Sequence, residues 1–263
     1  MTQTTTMGKN LKRTLGADEL ELNRLIENRG LDIFTVNDVL QLVEGSEKET
    51  YNQLEKLARS GQLHRLEKGK YCRHNFRDEK VIGSFLVKDG AIAYWSAMQH
   101  HGKTEQLSDI MYIQTTSRKK ELKVFGVTYV FITVRPYKMI GILKEGFGNH
   151  QYRVTDREKT LVDCFDQPKY AGAYGDLVDS LNHFRDLDTK KLIEYCKAIR
   201  NTAATKRLGY WLNQLSHPGA KLFKEFAQNN ISSTFSLLDP TGIKKGRYSR
   251  EWYLQLNVDP IMY

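Results

Sequence analysis

One helix ends and another begins within a few residues of position 45, and this break constrains the fold more than any other feature of the sequence. The segment 44–49 reads Glu-Gly-Ser-Glu-Lys-Glu. We expect Gly45 to supply a left-handed backbone at the turn, Ser46 to cap the next helix and Glu49 to complete a capping box. Two helices joined by so tight a turn are typical of a helix-turn-helix, whose second helix enters the DNA major groove. The turn therefore makes DNA binding the leading hypothesis.

The residues before this turn predict helices that support it. Apolar residues recur at helical spacing from Leu11 to Ile26, which indicates an amphipathic helix or helix pair ending near Gly30. Thr35 can then cap a short helix that carries Val36, Val39, Leu40 and Val43. We expect these helices to pack against the third helix and to leave its outer face free.

The third helix is expected to present a polar face. Leu54, Leu57 and Ala58 form its predicted inner stripe, with Tyr51 at the edge. Asn and Gln can read adenine, and Lys can reach guanine or a phosphate. The same residue types also cover ordinary solvent-exposed helices, so this helix alone leaves both interpretations open. Its candidate DNA contacts are Ser46, Lys48, Asn52, Gln53 and Lys56.

A short basic hairpin is predicted directly after this helix, and it favours the DNA-binding interpretation. Residues 63–66 alternate as a strand, residues 67–70 form a turn, and residues 71–73 return as a second strand. Such a hairpin is a wing, and its cations are suited to flanking phosphates. Residues 1–80 contain 14 Lys and Arg against 13 Asp and Glu, so any DNA footprint depends on local placement. The candidate phosphate contacts are Arg65, Lys68, Lys70 and Arg73.

Chain length and element pattern predict an α+β protein with two domains. A chain of 263 residues exceeds the usual size of one domain. We expect a disordered tail at residues 1–10, a winged helix-turn-helix domain at residues 11–78, and a larger mixed α+β domain at residues 79–263. In the larger domain, residues 91–101 predict a helix, and β-branched and aromatic runs predict a small sheet. A hairpin is expected to join residues 139–143 with residues 151–154 through the Gly-rich segment 146–149. A capped helix follows at residues 156–165, and residues 252–258 alternate as a closing strand.

Most of the formal net charge of +9 falls in the larger domain, where two basic clusters stand out. Clusters of this kind are usually solvated loops, although two on one domain could extend a DNA track or dock an acidic partner. They form a possible secondary basic patch. The first cluster is Arg118, Lys119, Lys120 and Lys123, and the second is Lys244, Lys245, Arg247 and Arg250.

The cysteines and the apolar segments limit the remaining classes of protein. Cys72, Cys164 and Cys196 lie far apart, so the spacing indicates neither a zinc site nor a disulfide framework. The polar start lacks an apolar stretch of signal-peptide length, and no run approaches the roughly 18 apolar residues of a membrane span. No Gly-rich phosphate loop follows an apolar strand. We expect a cytoplasmic protein with reduced thiols, no cofactor and no metal.

Five segments, in order along the chain, resemble the AbiEi antitoxin family of type IV toxin-antitoxin systems. The resemblance covers most of the chain and implies a two-domain protein that is not an enzyme. It implies that the winged helix binds inverted repeats in its own promoter, while the second domain counteracts a nucleotidyltransferase-like toxin encoded beside it. The segments are residues 67–71 (Glu-Lys-Gly-Lys-Tyr), 93–102, 154–164, 170–174 and 252–258.

Three other functions stay open on the sequence. A standalone transcription regulator built on the same scaffold would look identical. A metal-dependent nuclease would use the carboxylates and lysine of Asp156, Glu158, Lys159 and Asp163, which also fit an ordinary helical salt-bridge ladder. A protein-interaction module would bury the outer face of the third helix against another protein. The adjacent pair His100-His101 suits joint metal binding poorly, because neighbours on a helix point about 100 degrees apart.

Overall fold

The protein is a mixed α+β structure, as the sequence predicts. The computed structural model describes residues 15–104 and 108–258. The tail expected at residues 1–10 lies outside the described residues, and so does Leu11.

The chain divides into two units, each with its own hydrophobic core. The first unit ends at Asp78 and also takes in Phe147–His150. The second unit comprises Glu79–Gly146 and the chain from Gln151 onward. The sequence analysis places residues 147–150 in the second domain, whereas they group with the first unit.

Side-chain contacts hold residues 147–150 within the first unit. The Asn149 amide donates a 2.7 Å hydrogen bond to the Gly30 carbonyl. Nε2 of His150 lies 2.7 Å from Oδ2 of Asp32, and its ring packs edge-on against Phe76 at 5.2 Å between centroids. These contacts join residues that are far apart in the sequence, so the local sequence pattern does not predict them.

Helices and strands of the first unit follow a helix-strand-helix-helix-strand-strand order. The last two strands form an antiparallel hairpin, and the first strand pairs antiparallel with the third, so the sheet has the first and second strands at its edges. The elements are α1 (Ala17–Asn28), β1 (Ile33–Thr35), α2 (Val36–Leu40), α3 (Glu47–Arg59), β2 (Leu63–Glu67) and β3 (Lys70–Arg73).

The start of α2 confirms its predicted cap. The Thr35 hydroxyl accepts a 3.2 Å bond from the Asp38 backbone N–H, and the Asp38 carboxylate accepts one of 2.7 Å from the Thr35 N–H. Because these bonds satisfy N–H groups that have no partner inside the helix, the chain can turn from β1 directly into α2.

The second unit begins with a mixed sheet and two short helices. The elements are α4 (Glu79–Phe85), β4 (Ala91–Ile92), α5 (Tyr94–His100), β5 (Ile110–Thr115), β6 (Leu122–Val124), β7 (Val127–Thr133), β8 (Ile142–Glu145) and β9 (Tyr152–Thr155). In the described residues the sheet has six strands, in the order β6-β7-β5-β4-β9-β8. Strand β5 runs parallel to β7 and β4 parallel to β9, while the other neighbours are antiparallel.

Two elements of this region differ in their bounds from the predicted ones. The helix expected from Ala91 to His101 is too long, because Ala91 and Ile92 form a strand that pairs with both β5 and β9. A two-residue central strand carries too little pattern to distinguish it from a helix start. The predicted hairpin is confirmed by the antiparallel pairing of β8 with β9, but its first strand covers residues 142–145 and not 139–143.

Five helices and a small sheet complete the second unit. The first of these helices is central, since every residue from Glu158 to Asp166 is buried and the helix packs against α5 and two later helices. The elements are α6 (Arg157–Asp166), α7 (Tyr174–Asn182), α8 (Thr189–Ile199), α9 (Thr202–Gln214), α10 (Ala220–Gln228), β10 (Ser236–Leu237), β11 (Arg247–Ser249) and β12 (Leu254–Leu256).

A buried ion pair lies inside α6. The Lys159 ammonium donates to Oδ1 of Asp163 one turn later, and both side chains are shielded from solvent. Asp156 caps the helix by accepting a 2.8 Å bond from the Lys159 N–H, and its other oxygen accepts a 2.7 Å bond from the Tyr195 hydroxyl. The capped helix predicted at residues 156–165 is thus confirmed.

The small sheet places β12 between β10 and β11, parallel to the first and antiparallel to the second. The closing strand predicted at residues 252–258 is therefore shorter than expected and covers only Leu254–Leu256. Trp252 does not continue the strand and is buried beneath it, against the position of Gly209 in α9.

Among the described residues, we find no helix that is both long and apolar enough to cross a membrane.

Replacing one partner of the ion pair is predicted to be far more harmful than replacing both. Lys159→Met leaves the Asp163 carboxylate buried without a counter-charge, so we expect it to lower the free energy of unfolding by about 3–5 kcal/mol at pH 7. The double variant Lys159→Met/Asp163→Leu removes both charges and should lose much less. Urea unfolding followed by circular dichroism measures both, and equal losses would contradict the prediction.

The loss of stability in Lys159→Met should depend on pH, with a sign that follows from the pKa of Asp163. Burial raises the pKa of Asp163 to about 6, above its ordinary value of 3.8, despite the opposing Lys159 ammonium. Because the folded-state pKa is the higher one, the stability contributed by protonation is fully present below pH 3.8 and is lost as the pH rises through about 6. Lys159 lowers the pKa of Asp163, so in Lys159→Met that pKa should be higher still, and the variant should gain more stability than the parent as the pH falls from 7 to 5. The penalty of Lys159→Met should therefore be smaller at pH 5 than at pH 7.

Candidate nucleic-acid interface

Helix α3 begins at a cap formed by residues of the predicted turn. The Ser46 hydroxyl accepts a 3.3 Å bond from the Glu49 N–H, and the Glu49 carboxylate accepts a 3.0 Å bond from the Ser46 N–H. The hydrogen bonds from Ser46 lower the pKa of Glu49. The predicted capping box is confirmed.

The expectation for Gly45 is wrong. Its backbone does not enter the left-handed region, and a Cβ at this position would meet only Oε2 of Glu49, at 3.9 Å. Helix α2 already ends at Leu40, so the chain reaches Ser46 through a gradual bend and needs no glycine conformation. A turn of several residues spreads the change of direction that a single left-handed residue would otherwise supply.

Burial distinguishes an inner face of α3 from an outer one. Thr50, Leu54 and Leu57 are fully buried, whereas Ala58, which the sequence analysis places in the inner stripe, is only half-buried. The outermost stripe, opposite the buried one, carries three exposed polar side chains. They are Lys48, Asn52 and Arg59.

Arg59 is not among the DNA contacts predicted from the sequence. It stands in the last turn of α3, eleven positions after Lys48 and seven after Asn52, and so falls on their face of the helix. Extending the helical spacing by two further turns would have identified it. Within the described part of the chain, none of these three side chains has an ion-pair or hydrogen-bond partner.

Four of the predicted cations are engaged by carboxylates of their own unit. These pairs reduce the charge offered to a phosphate, because each cation already has a counter-ion nearby. Arg73 has two partners, at 3.2 and 3.4 Å, and joins the ends of α1 and β1. The pairs are Lys56 with Glu19, Arg65 with Glu55, Lys70 with Glu67, and Arg73 with Glu27 and Asp32.

Lys68 differs from these four. It is exposed at the tip of the β2–β3 hairpin and has no ion pair among the described residues. The next residue, Gly69, has a φ of +75° that makes the tight turn possible, and its carbonyl accepts a 3.0 Å bond from the Val36 N–H at the start of α2. The hairpin tip is thus fixed to the helix pair, with Lys68 pointing to solvent.

A carboxylate on α3 fixes that helix to the hairpin. Oε1 of Glu55 accepts a 2.6 Å bond from the hydroxyl of the fully buried Tyr71 on β3, and Oε2 lies 3.3 Å from the Arg65 guanidinium on β2. Burial and the Glu55 carboxylate together raise the pKa of Tyr71. Glu55 therefore sets the angle at which the outer stripe of α3 stands relative to the hairpin.

A groove of about 790 Å³ lies on the other side of α3, against α1. It is lined by Asp18, Glu21, Glu44 and Glu49 but by only one cation, Arg24. An acidic groove repels phosphate, so this groove does not suit DNA. Gln53 lines this groove and thus stands away from the outer stripe.

Both predicted basic clusters of the second unit are on its surface. Arg118, Lys120 and Lys123 are exposed around the β5–β6 connection, while Lys119 lies half-buried over the Phe131 ring at 5.3 Å. The second cluster is exposed in β11 and on either side of it, and consists of Lys244, Lys245, Arg247 and Arg250.

The carboxylates considered for a nuclease serve as contacts inside the second unit. Asp156 caps α6, Asp163 pairs with Lys159, and Glu158 accepts a 3.0 Å bond from the Asp188 N–H at the start of α8. Because the Lys159 ammonium is buried against Asp163, it cannot approach a substrate. Among the described residues, no group of three or more His, Cys, Asp or Glu side chains is arranged to hold a metal ion.

The anchor between α3 and the hairpin yields a stability prediction. Glu55→Ala leaves the buried Tyr71 hydroxyl without its acceptor, which should cost about 1–3 kcal/mol of unfolding free energy. Adding Tyr71→Phe to that variant removes the orphaned hydroxyl, so the double variant should lose less than the sum of the single variants. Chemical denaturation measures each loss. Glu44→Ala, an exposed acid outside the anchor, should change stability by no more than about 0.5 kcal/mol.

Comparison with known proteins adds one finding about the fold. No family model and no curated protein matches the sequence. Among solved structures, the chain is similar to the crystal structure of the RV2827C protein from Mycobacterium tuberculosis, with a TM-score of 0.63 and 14% sequence identity. The similarity covers 92% of this chain and 92% of that one, so it extends over both units. At this level of identity it shows a shared fold alone.

Proposed function

We propose that the first unit is a winged helix-turn-helix and that the protein uses it to bind duplex DNA. The observation that carries this proposal is the order α1-β1-α2-α3-β2-β3 with the sheet order β1-β3-β2. In that arrangement α3 is the recognition helix, and the β2–β3 hairpin is the wing.

The chemistry of the exposed side chains supports the same proposal. Asn52 lies mid-helix between Lys48 and Arg59, so an amide that can pair with adenine is flanked by cations that can reach guanine or phosphate. Lys68 at the wing tip would take a flanking phosphate. Lys56, Arg65, Lys70 and Arg73 would act mainly by fixing the frame, since each is already paired with a carboxylate.

We further infer that the protein is an antitoxin of a type IV system that represses its own operon. The resemblance of five segments to the AbiEi antitoxin family supports this part. In this proposal, two copies bind inverted repeats in the promoter through their winged helices, and the second unit counters a nucleotidyltransferase-like toxin. A standalone regulator would share the DNA-binding half and lack the second activity.

DNA binding is tested by gel shift on the upstream DNA of its own gene against a shuffled duplex. We expect selective binding by the parent protein and loss of that selectivity in Lys48→Ala/Asn52→Ala/Arg59→Ala, which removes two cations and one amide from the outer stripe. The matched control is Arg24→Ala/Asn28→Ala/Arg29→Ala, which makes the same change at exposed positions of α1 and at the residue that caps its C-terminal end. Equal binding of both duplexes, or equal losses in the two triple variants, would contradict the proposal.

Salt dependence adds a second measure of the same interface. Lys48, Arg59 and Lys68 have no ion pair among the described residues. If these three cations contact phosphates, a plot of the logarithm of the binding constant against the logarithm of the salt concentration should have a slope of about −3 for one copy on a half-site. If the four carboxylate-paired cations also released counter-ions on binding, the slope would approach about −6 instead.

Antitoxin activity is tested by co-expression with the gene beside its own. We expect the protein to restore growth of cells that express a nucleotidyltransferase-like neighbour, and we expect the triple α3 variant to restore growth equally well, because the second unit is intact in it. Colony counts with the two genes on separately induced plasmids measure the rescue. Failure to restore growth, together with selective promoter binding, would favour the standalone regulator.

A further inference from the structure

Two exposed aromatic rings stand together on the small sheet of the second unit. Phe235 is 42% and Tyr248 is 60% exposed, and their rings meet edge-on with centroids 4.9 Å apart. The Tyr253 ring also contacts Phe235, with 5.7 Å between the ring centroids. Large aromatic surfaces left in water contribute little to the stability of the fold, so a grouped and exposed pair indicates a contact surface.

Four cations lie within four residues of Tyr248 along the chain. Lys244, Lys245, Arg247 and Arg250 are all exposed, and none has an ion pair among the described residues. No acidic residue occurs from residue 243 to residue 250, and the adjacent Glu251 is occupied by a salt bridge with Lys224. We call these four cations, together with Phe235 and Tyr248, the aromatic-basic surface.

A buried lysine holds the aromatic part of this surface in place. Lys206 on α9 is shielded from solvent, and its ammonium donates a 2.6 Å bond to the Thr234 carbonyl and a 3.0 Å bond to the Ser232 hydroxyl. These bonds fix the segment that leads directly into Phe235. A buried ammonium without hydrogen-bond acceptors is costly. Lys206 therefore favours the backbone conformation that places the Thr234 carbonyl and the Ser232 hydroxyl where they accept its hydrogen bonds.

The backbone beside the rings is constrained as well. Tyr253 has a φ of +49°, which is rare for a residue with a side chain, and its carbonyl accepts a 3.0 Å bond from the Ser236 N–H. Gly246 has a φ of +155°, and a Cβ there would lie 2.0 Å from the Leu256 carbonyl oxygen. The cations on either side of Gly246 are therefore displayed by a backbone that has little freedom to move.

We propose that the aromatic-basic surface binds single-stranded RNA. Fixed aromatic rings can stack on bases only where the base faces are free, and cations beside them can follow the phosphates of the strand. An acidic protein would pair with the cations but would leave the exposed rings unused. Cellular DNA keeps its base faces covered by stacking in the duplex, whereas RNA loops present unstacked bases to aromatic side chains. This proposal does not depend on the winged helix or on the promoter.

The test is fluorescence anisotropy of the full-length protein with a labelled uridine oligonucleotide of about 15 nucleotides. We expect Tyr248→Ala to weaken binding by about fivefold or more, since one stacked base is lost. Tyr248→Phe keeps the ring and should bind like the parent. The matched control is Tyr137→Ala, because Tyr137 is also an exposed tyrosine with a cation, Arg200, over its ring at 4.9 Å.

Competitors and a second variant separate the other partners. Lys244→Ala/Lys245→Ala should weaken RNA binding and reduce its salt dependence, while the triple α3 variant should bind RNA like the parent. Absence of RNA binding by the parent, or equal binding by Tyr248→Ala, overturns the proposal. Displacement of RNA by polyglutamate as effectively as by unlabelled RNA would reassign the surface to an acidic protein. Binding of a deoxythymidine oligonucleotide at equal affinity would reassign it to single-stranded DNA.

Discussion

The second unit depends on keeping two opposite charges together in its interior. Helix α6 is buried on all sides, and the helices and strands around it must close over Lys159 and Asp163. A buried pair of this kind adds little net stability, because desolvation offsets most of the attraction. It does penalise any packing in which the two groups separate. The pair therefore favours one arrangement of the elements around α6. The backbone also passes close to Lys159 at Gly141, where an added Cβ would lie 2.8 Å from the Cβ of Lys159.

In the first unit, too, charged side chains mainly hold helices and strands together. Its cations and acids are nearly balanced, and most of the cations near α3 and the hairpin are held by carboxylates from neighbouring elements. Glu55 and Glu19 thus use charge to orient helices rather than to attract a ligand. Among the described cations of α3 and the hairpin, those without a carboxylate partner are Lys48, Arg59 and Lys68. Affinity for a polyanion would then rest on a few well-placed side chains instead of a broad basic face.

The sequence predicts the local features of this fold better than its distant contacts. The caps at Ser46 and Asp156 join residues three positions apart, so their pattern is visible in the sequence. The bond from Tyr71 to Glu55 and the bonds from Lys206 to residues 232–234 join positions far apart, and no local spacing indicates them. On α3 the outer residues Lys48 and Asn52 follow from periodicity. The pairing that removes Lys56 and Arg73 from the free cations depends on where α1 packs, which the sequence alone does not define.

The strand order of the small sheet has a consequence for how the protein is made. Strand β12 lies between β10 and β11 but is synthesised after both of them. Neither earlier strand has its partner until residues 254–256 have left the ribosome, and Trp252, which packs beneath the sheet, also arrives late. A nascent or truncated chain that stops before β12 would carry the segments of β10 and β11 without their partner strand. The chain must therefore be synthesised through β12 before this face can form.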